Sequence, residues 1–305
     1  MLFFETIVMS PANSYQPLDS VTDPSPLRVI DTHAHLCHPQ KFSYIWAKRD
    51  PHDLIAVDAA SFFEDTSPAG VEKMVFVEAA VEPAQHFQEL AFAEEQSLLD
   101  PRVAGFIAAA PAHPNEMAAK LERLASHPLV RGIRFLSRYA PRPEFLLEKP
   151  IRELMEKLSS LGLICEIGVW AQELPIVAQL ARNCPETIFI LNHAGKPNIA
   201  GGELEPWAQD LRRLAQHPNV LCKLSGLATL AGLRGFSREI LAPFVCHVVE
   251  VFGPERVMYG SDWPMASTSV HYLQRITAVR QSLSDLSREE LDAVFKANAE
   301  RIYRI

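Results

Sequence analysis

Short apolar runs alternate with longer stretches in which apolar positions recur every three or four residues, from about residue 28 to the end of the chain. The first kind reads as strands buried on both faces and the second as amphipathic helices. Strands are predicted over Arg28–His35, Lys73–Ala79, Val103–Ala109, Val130–Leu136, Leu163–Val169, Thr187–His193, Asn219–Ser225 and Arg256–Asp262. Helical spacing fills the gaps over Pro83–Leu99, Glu116–Ser126, Ile151–Leu161, Glu173–Asn183, Pro206–Gln216 and Ser237–Phe252. About eight strand–helix units in alternation predict a parallel α/β sheet, and a distorted, single-domain (β/α)8 barrel of TIM type closes it most economically. An open doubly wound sheet is the rival, but the first helix slot lacks a GxGxxG fingerprint. Gly132 and Gly260 are consistent with tight turns or close backbone approach.

The stretch Pro39–Gly70 is long and mixed, and predicts an excursion over the barrel mouth after the first strand. Ser137–Pro150 and Lys196–Pro206 are the other predicted mouth loops. Residues 1–26, rich in Ser, Pro, Asp and Asn, read as a flexible N-terminal arm, so the barrel domain is assigned to residues 27–305.

Composition narrows the function classes. The 305 residues are 48% hydrophobic and 22% charged, ordinary for a globular chain with a large core. The net charge of -8, with no basic and aromatic cluster, argues against nucleic acid as a partner. No apolar run reaches the roughly 18 residues that a membrane span needs. The apolar opening Met1-Leu2-Phe3-Phe4 has no basic flank, which argues against a signal peptide. The five cysteines, an odd number without a CxxC, fit a reducing cytoplasm; Cys165 and Cys222 read as packing residues.

In a barrel of this type, chemistry collects at the C-terminal ends of the strands. Polar residues accumulate there. His33 and His35 end the first predicted strand, two apart and so on one face. Glu78 ends the second, Arg134 lies in the fourth and Glu166 in the fifth. His193 ends the sixth, Lys223 and Ser225 fall in the seventh, and Asp262 ends the eighth, followed by Trp263. An unpaired charge in such apolar surroundings is costly, so one shared polar cavity is the economical arrangement. His38, Tyr44 and His52 in the first loop are lesser candidates.

Two or three imidazoles with one carboxylate suit a divalent ion, zinc first. In that case His33, His35, His193 and Asp262 are the ligand candidates, and Asp262 is the base that takes a proton from water. Without a metal, the same histidines with Arg134 or Lys223 would polarise an ester carbonyl and stabilise its oxyanion. Ser225 has no GxSxG context, which argues against a serine nucleophile.

Six segments then carry a resemblance. They are Ile30-Asp31-Thr32-His33-Ala34-His35, Val77-Glu78-Ala79, Gly132-Ile133-Arg134-Phe135, Leu191-Asn192-His193-Ala194-Gly195-Lys196-Pro197, Asn219 to Leu227, and Tyr259-Gly260-Ser261-Asp262-Trp263-Pro264. In this order they resemble the amidohydrolase superfamily, and within it the amidohydrolase-2 branch of metal-dependent hydrolases and sugar lactonases. The resemblance implies a distorted barrel in which His33, His35 and His193 serve metal or substrate carbonyl, and Asp262 is the catalytic aspartate. It implies a substrate contact from Arg134; from their strand-end positions, Glu78, Glu166, Lys223 and Trp263 are further substrate-binding candidates. Glu166 and Arg134 stand where the full metal centre of the wider superfamily has a histidine and a lysine, so a binuclear centre is not expected. The expected activity is opening of a sugar-acid or related lactone, a small-molecule reaction of carbohydrate catabolism. The alternatives are a metal-dependent decarboxylase of the aminocarboxymuconate-semialdehyde or resorcylate type, another amide or ester hydrolase, or a non-catalytic barrel.

Overall fold

The computed structural model describes residues 28–47, 55–110, 117–139, 142–232, 235–267 and 270–305. The N-terminal arm and His52 lie outside them. Eight parallel strands pair in chain order: β1 (Val29–Ala34), β2 (Val71–Val77), β3 (Val103–Ala109), β4 (Val130–Leu136), β5 (Ile164–Gly168), β6 (Phe189–Leu191), β7 (Val220–Leu224) and β8 (Val257–Tyr259). Consecutive strands are joined through α1 (Ala59–Thr66), α2 (His86–Leu99), α3 (Met117–Ala125), α4 (Lys149–Ser160), α5 (Leu174–Asn183) and α6 (Trp207–Ala215). Two helices, α7 (Leu227–Ala231) and α8 (Arg238–Phe252), lie between β7 and β8. After β8 come α9 (Tyr272–Ser282), α10 (Arg288–Asp292) and α11 (Asn298–Tyr303), the last two linked by a π-helical stretch. This is the expected (β/α)8 barrel.

The barrel interior is built in layers. In one interior cluster, Ile30, Val75, Ile164, Ile190, Leu221 and Met258 pack with Ala299 and Tyr303 of α11. Burying such an aliphatic side chain contributes roughly 1.5–3 kcal/mol. Two residues further along their strands, Glu166 and Lys223 form an ion pair at 2.6 Å with no exposed side-chain surface. A buried pair is tolerated only when its remaining polar atoms are also bonded. Here Lys223 donates to the Thr32 carbonyl at 2.6 Å. Glu166 accepts from Tyr303 Oη at 2.8 Å and from Asn192 Nδ2 at 2.8 Å.

Closure between β8 and β1 lies beyond the end of β8. Asp262 N–H donates to the His33 carbonyl at 2.7 Å, and His35 N–H donates to the Trp263 carbonyl at 2.7 Å. Asp31 reinforces this seam. Its Oδ1 accepts from the N–H groups of His33 and Ser261, both at 3.0 Å, and its Oδ2 accepts from Tyr272 Oη at 2.9 Å.

The strand patterns over residues 103–109 and 130–136 match β3 and β4. The predicted runs Thr187–His193 and Arg256–Asp262 are longer than β6 and β8, because the backbone leaves the ladder before His193 and Asp262. The mixed stretch Pro39–Gly70 contains a helix, α1, that its hydrophobic pattern does not announce. Asp58 caps α1 through the Ser61 N–H at 2.9 Å, and Ser61 Oγ accepts from the Asp58 N–H at 3.2 Å.

Tyr303→Phe removes one hydroxyl from the buried carboxylate and leaves the apolar packing intact. The expected outcome is a loss of about 1–2 kcal/mol in urea unfolding with an unchanged far-ultraviolet spectrum. An unchanged midpoint would show that this hydroxyl does not hold the interior together.

Candidate active site

β1 delivers two histidines through an irregular strand. Its register to β2 shifts between Asp31 and Ala34. His33 thereby stands above the buried ion pair, and His35 follows at the rim. Their rings meet edge to face with centroids 5.0 Å apart, and His193 lies 4.6 Å from His33. The three imidazoles surround one carboxylate. Asp262 Oδ1 is 3.3 Å from His35 Nε2, 3.6 Å from His33 Nε2 and 4.0 Å from His193 Nε2.

Local backbone conformation aims these groups. Asp262 has φ 64°, and His193 has φ 55° within a left-handed turn. Non-glycine residues adopt this region at a cost of order 1–3 kcal/mol each, and only where their surroundings hold them. His193 N–H donates to Ser225 Oγ at 3.2 Å, and its Nδ1 lies 2.9 Å from the same oxygen. Gly226, at φ +65°, makes room for the ring, since a Cβ there would lie 2.6 Å from His193 Nδ1. Gly260 does the same for β1, because its Cβ would lie 2.7 Å from His33 Cβ. His35 Nδ1 donates to the Val77 carbonyl at 2.7 Å, which turns Nε2 towards Asp262.

Electrostatics set the charge states. Burial, together with Lys223 and the neighbouring imidazoles, holds His33 well below the usual histidine range. Burial likewise brings His193 down to about 3, against the pull of Asp262. Burial alone would raise the Asp262 carboxyl, but His193, His35 and Arg134 outweigh it and hold it at about 2. Near neutral pH, His33 and His193 are therefore uncharged and Asp262 is ionised.

Arg134 is anchored by Glu78. Its Nε donates to Glu78 Oε1 and its Nη2 to the Glu78 carbonyl, both at 2.6 Å, while Nη1 lies 3.4 Å from His33 Nε2. Burial would raise Glu78, but Arg134 outweighs it and keeps the carboxyl low. Glu166 and Lys223 lie beneath the histidines with their polar atoms engaged by protein groups. Burial lowers Lys223 to about 8 despite Glu166. Trp263 is buried against Phe62, with ring centroids 5.4 Å apart, and its Nε1 donates to Asp65 of α1 at 2.9 Å. In the first loop, Tyr44 Oη accepts from the His38 N–H at 2.7 Å.

Several residues that shape the site escaped sequence reasoning. Asp31 was visible only as the residue before the His-x-His pair, and Ser225 as a polar residue of the seventh strand with no partner assigned. Asn192 was visible only as part of the segment around His193. Tyr303 carries no local signal.

The donor set fits a divalent metal ion. One ligand atom each from His33, His35 and Asp262 lies within 4.8 Å of the others. Zinc–ligand distances of about 2.0–2.1 Å in a tetrahedron require neighbouring ligand atoms roughly 3.4 Å apart. The 3.3 and 3.6 Å separations from Asp262 agree. The His35 hydrogen bond to a backbone carbonyl is the kind of outer contact that orients a ligating imidazole. His193 stands slightly farther off, at 4.0 Å.

An amidohydrolase family model matches residues 30–305, and the chain belongs to this amidohydrolase-2 family. L-fucono-1,5-lactonase of Burkholderia ambifaria is 29% identical over 252 residues, which are 80% of this chain and 82% of that protein. A 2-pyrone-4,6-dicarboxylate hydrolase of Comamonas testosteroni is 30% identical over 156 residues, 47% of this chain and 48% of that protein. Among solved structures, an amidohydrolase of Burkholderia multivorans with bound zinc superposes with a TM-score of 0.79 at 26% identity, over 91% of this chain and 99% of that one.

Glu89 of α2 supplies a pH test. Its Oε1 accepts from the Ala79 N–H at 2.7 Å, while its buried Oε2 has no partner among the described residues. Burial, with Glu78 acting in the same direction, pushes this carboxyl from 4.5 up to about 8. The folded state then binds the proton more tightly than the unfolded chain does. Its contribution is fully present below about pH 4.5 and is lost as pH rises through about 8. Glu89→Gln is expected to flatten this part of the stability profile, measured by urea unfolding from pH 5 to 9. An unaltered slope would exclude Glu89 as its source.

Proposed function

We propose that this chain is a hydrolase that opens the ring ester of a lactone, a sugar-acid lactone or a related carboxylic lactone. The observation that carries the reading is the single ionised carboxylate, Asp262, surrounded by three imidazoles at the strand ends. The names of the relatives, a fuconolactonase and a pyrone-dicarboxylate hydrolase, support ring-ester substrates.

Asp262 orients the attacking water as a hydrogen-bond acceptor and receives its proton. The hydroxyl adds to the carbonyl carbon, the ring C–O bond breaks, and the proton passes to the departing alkoxide. The product is an open hydroxy acid. His193, uncharged and held by Ser225, and Arg134, held by Glu78, face the oxygen on which negative charge develops. Lys223 and Glu166 support β1 from below through the Thr32 carbonyl. His33, His35 and Asp262 would hold a divalent ion, zinc by donor type, with His193 beside them; such an ion would supply Lewis acidity toward the carbonyl and lower the pKa of a bound water. Five free cysteines fit a cytoplasmic enzyme.

A panel of five- and six-membered lactones, followed with a pH indicator on protein of known zinc content, tests the reading. Turnover is expected for at least one lactone, and Asp262→Asn should lower kcat by about 10²–10⁴ while the fold is kept. No turnover of any lactone by zinc-loaded protein would overturn the lactonase reading. Near-normal turnover by the variant would remove Asp262 from the mechanism. Chelation should release zinc and lower activity if His33, His35 and Asp262 hold it. Activity that persists at negligible zinc content would assign catalysis to the side chains alone.

A further inference from the structure

The turn that follows β6 is left-handed over four consecutive residues. His193, Ala194, Gly195 and Lys196 have φ values of 55°, 51°, 69° and 53°. Three of them carry a Cβ, which crowds the following carbonyl oxygen in left-handed backbone. The turn is held from several sides. Trp207 Nε1 donates to the Ala194 carbonyl at 2.7 Å, Lys196 N–H donates to the His193 carbonyl at 2.8 Å, and Ser225 Oγ accepts from the His193 N–H. Its start places the His193 ring beside Asp262, and its end places Lys196.

The Lys196 ammonium sits 4.3 Å from the ring centroid of Trp170, the residue that opens the loop after β5. It is half-buried, and the exposed Arg138 and the buried Arg134 act on it with like charge, against Asp262 and Glu173. Among the described residues no carboxylate lies within ion-pair distance of Lys196 or of Arg138. The acidic groups nearby are otherwise engaged. Glu173 Oε2 accepts from Ser137 Oγ at 2.6 Å and from the Trp170 N–H at 2.7 Å, Glu78 is bonded to Arg134, and Asp262 is shared by the histidines. A half-buried ammonium without a carboxylate partner, at the edge of a centre that handles an ester and with the exposed Arg138 on its solvent side, is a site in want of an anion.

We propose that Lys196, seated on Trp170 and flanked by Arg138, is a specificity-determining subsite that binds a carboxylate substituent of the substrate. The reaction would then favour lactones that already carry a negative charge over neutral sugar lactones. This proposal rests on the lactone-opening reading for its substrate class, but its test does not require turnover.

Calorimetric titration with glutarate and with butyrate separates the two anchors. Either ligand can place one carboxylate at the histidines, and only glutarate offers a second. Wild-type protein is expected to bind glutarate about tenfold more tightly than butyrate, the gain of one partly desolvated charge contact. Lys196→Met and Lys196→Gln should erase that preference and leave butyrate affinity unchanged, which also shows that each variant is folded. Lys196→Arg should retain most of it. Equal affinity of the wild type for both acids, no glutarate binding, or a preference that survives both neutral variants would each overturn the subsite. A glutarate preference without turnover of any lactone would leave the subsite standing and remove the lactonase reading. Turnover of lactones without a glutarate preference would do the reverse.

Discussion

A barrel that carries charge in its interior must neutralise that charge within itself, and the ion pair between Glu166 and Lys223 meets this requirement. Neither side chain reaches water. Each charge needs the other, and each needs further partners, because the Coulombic gain alone rarely offsets desolvation. Those partners come from different parts of the chain: the Thr32 carbonyl in β1, Asn192 after β6 and Tyr303 in α11. The apolar floor lies below this layer and the histidines above it. The pair is therefore the hinge between a part of the barrel governed by packing and a part governed by electrostatics.

Above that layer, regular structure gives way wherever chemistry is needed. β1 is bulged between Asp31 and Ala34, β6 and β8 stop after three residues, and His193 and Asp262 occupy left-handed conformations. Each irregularity moves a functional atom from where a regular strand would leave it. Glycines at 226 and 260 clear the volume that His193 and His33 occupy. The irregular backbone is sustained by specific bonds, from Ser225 at one side and from the Asp31 carboxylate at the other.

Much of this was legible in the sequence, for physical reasons that also mark the limits. Strands buried on both faces write themselves as apolar runs, so β3 and β4 were read to the residue. The His-x-His pair stood out because polar groups at the end of such a run are costly without a purpose. The pairing of Arg134 with Glu78, and of Lys223 with Glu166, depends on which strands become neighbours at equal height. One sequence does not state that. α1 was missed because its signal is a cap, Asp58 and Ser61, rather than a periodicity. The left-handed turn at His193–Lys196 contains only one glycine, so nothing in its composition announced it. Tyr303 acts at a distance of 137 positions from Glu166, beyond any local pattern.

The seam between β8 and β1 bears on how the protein comes into being. Asp31 and Ser261, which meet there, are 230 positions apart. The histidines of β1 leave the ribosome long before the aspartate that completes their site. Throughout that interval the nascent chain holds the two histidines without their carboxylate, and a sheet with two open edges. Ring closure and site assembly are then one event. A partly made or misthreaded chain lacks the complete centre, so the appearance of the complete centre reports that the whole circuit of strands has been closed.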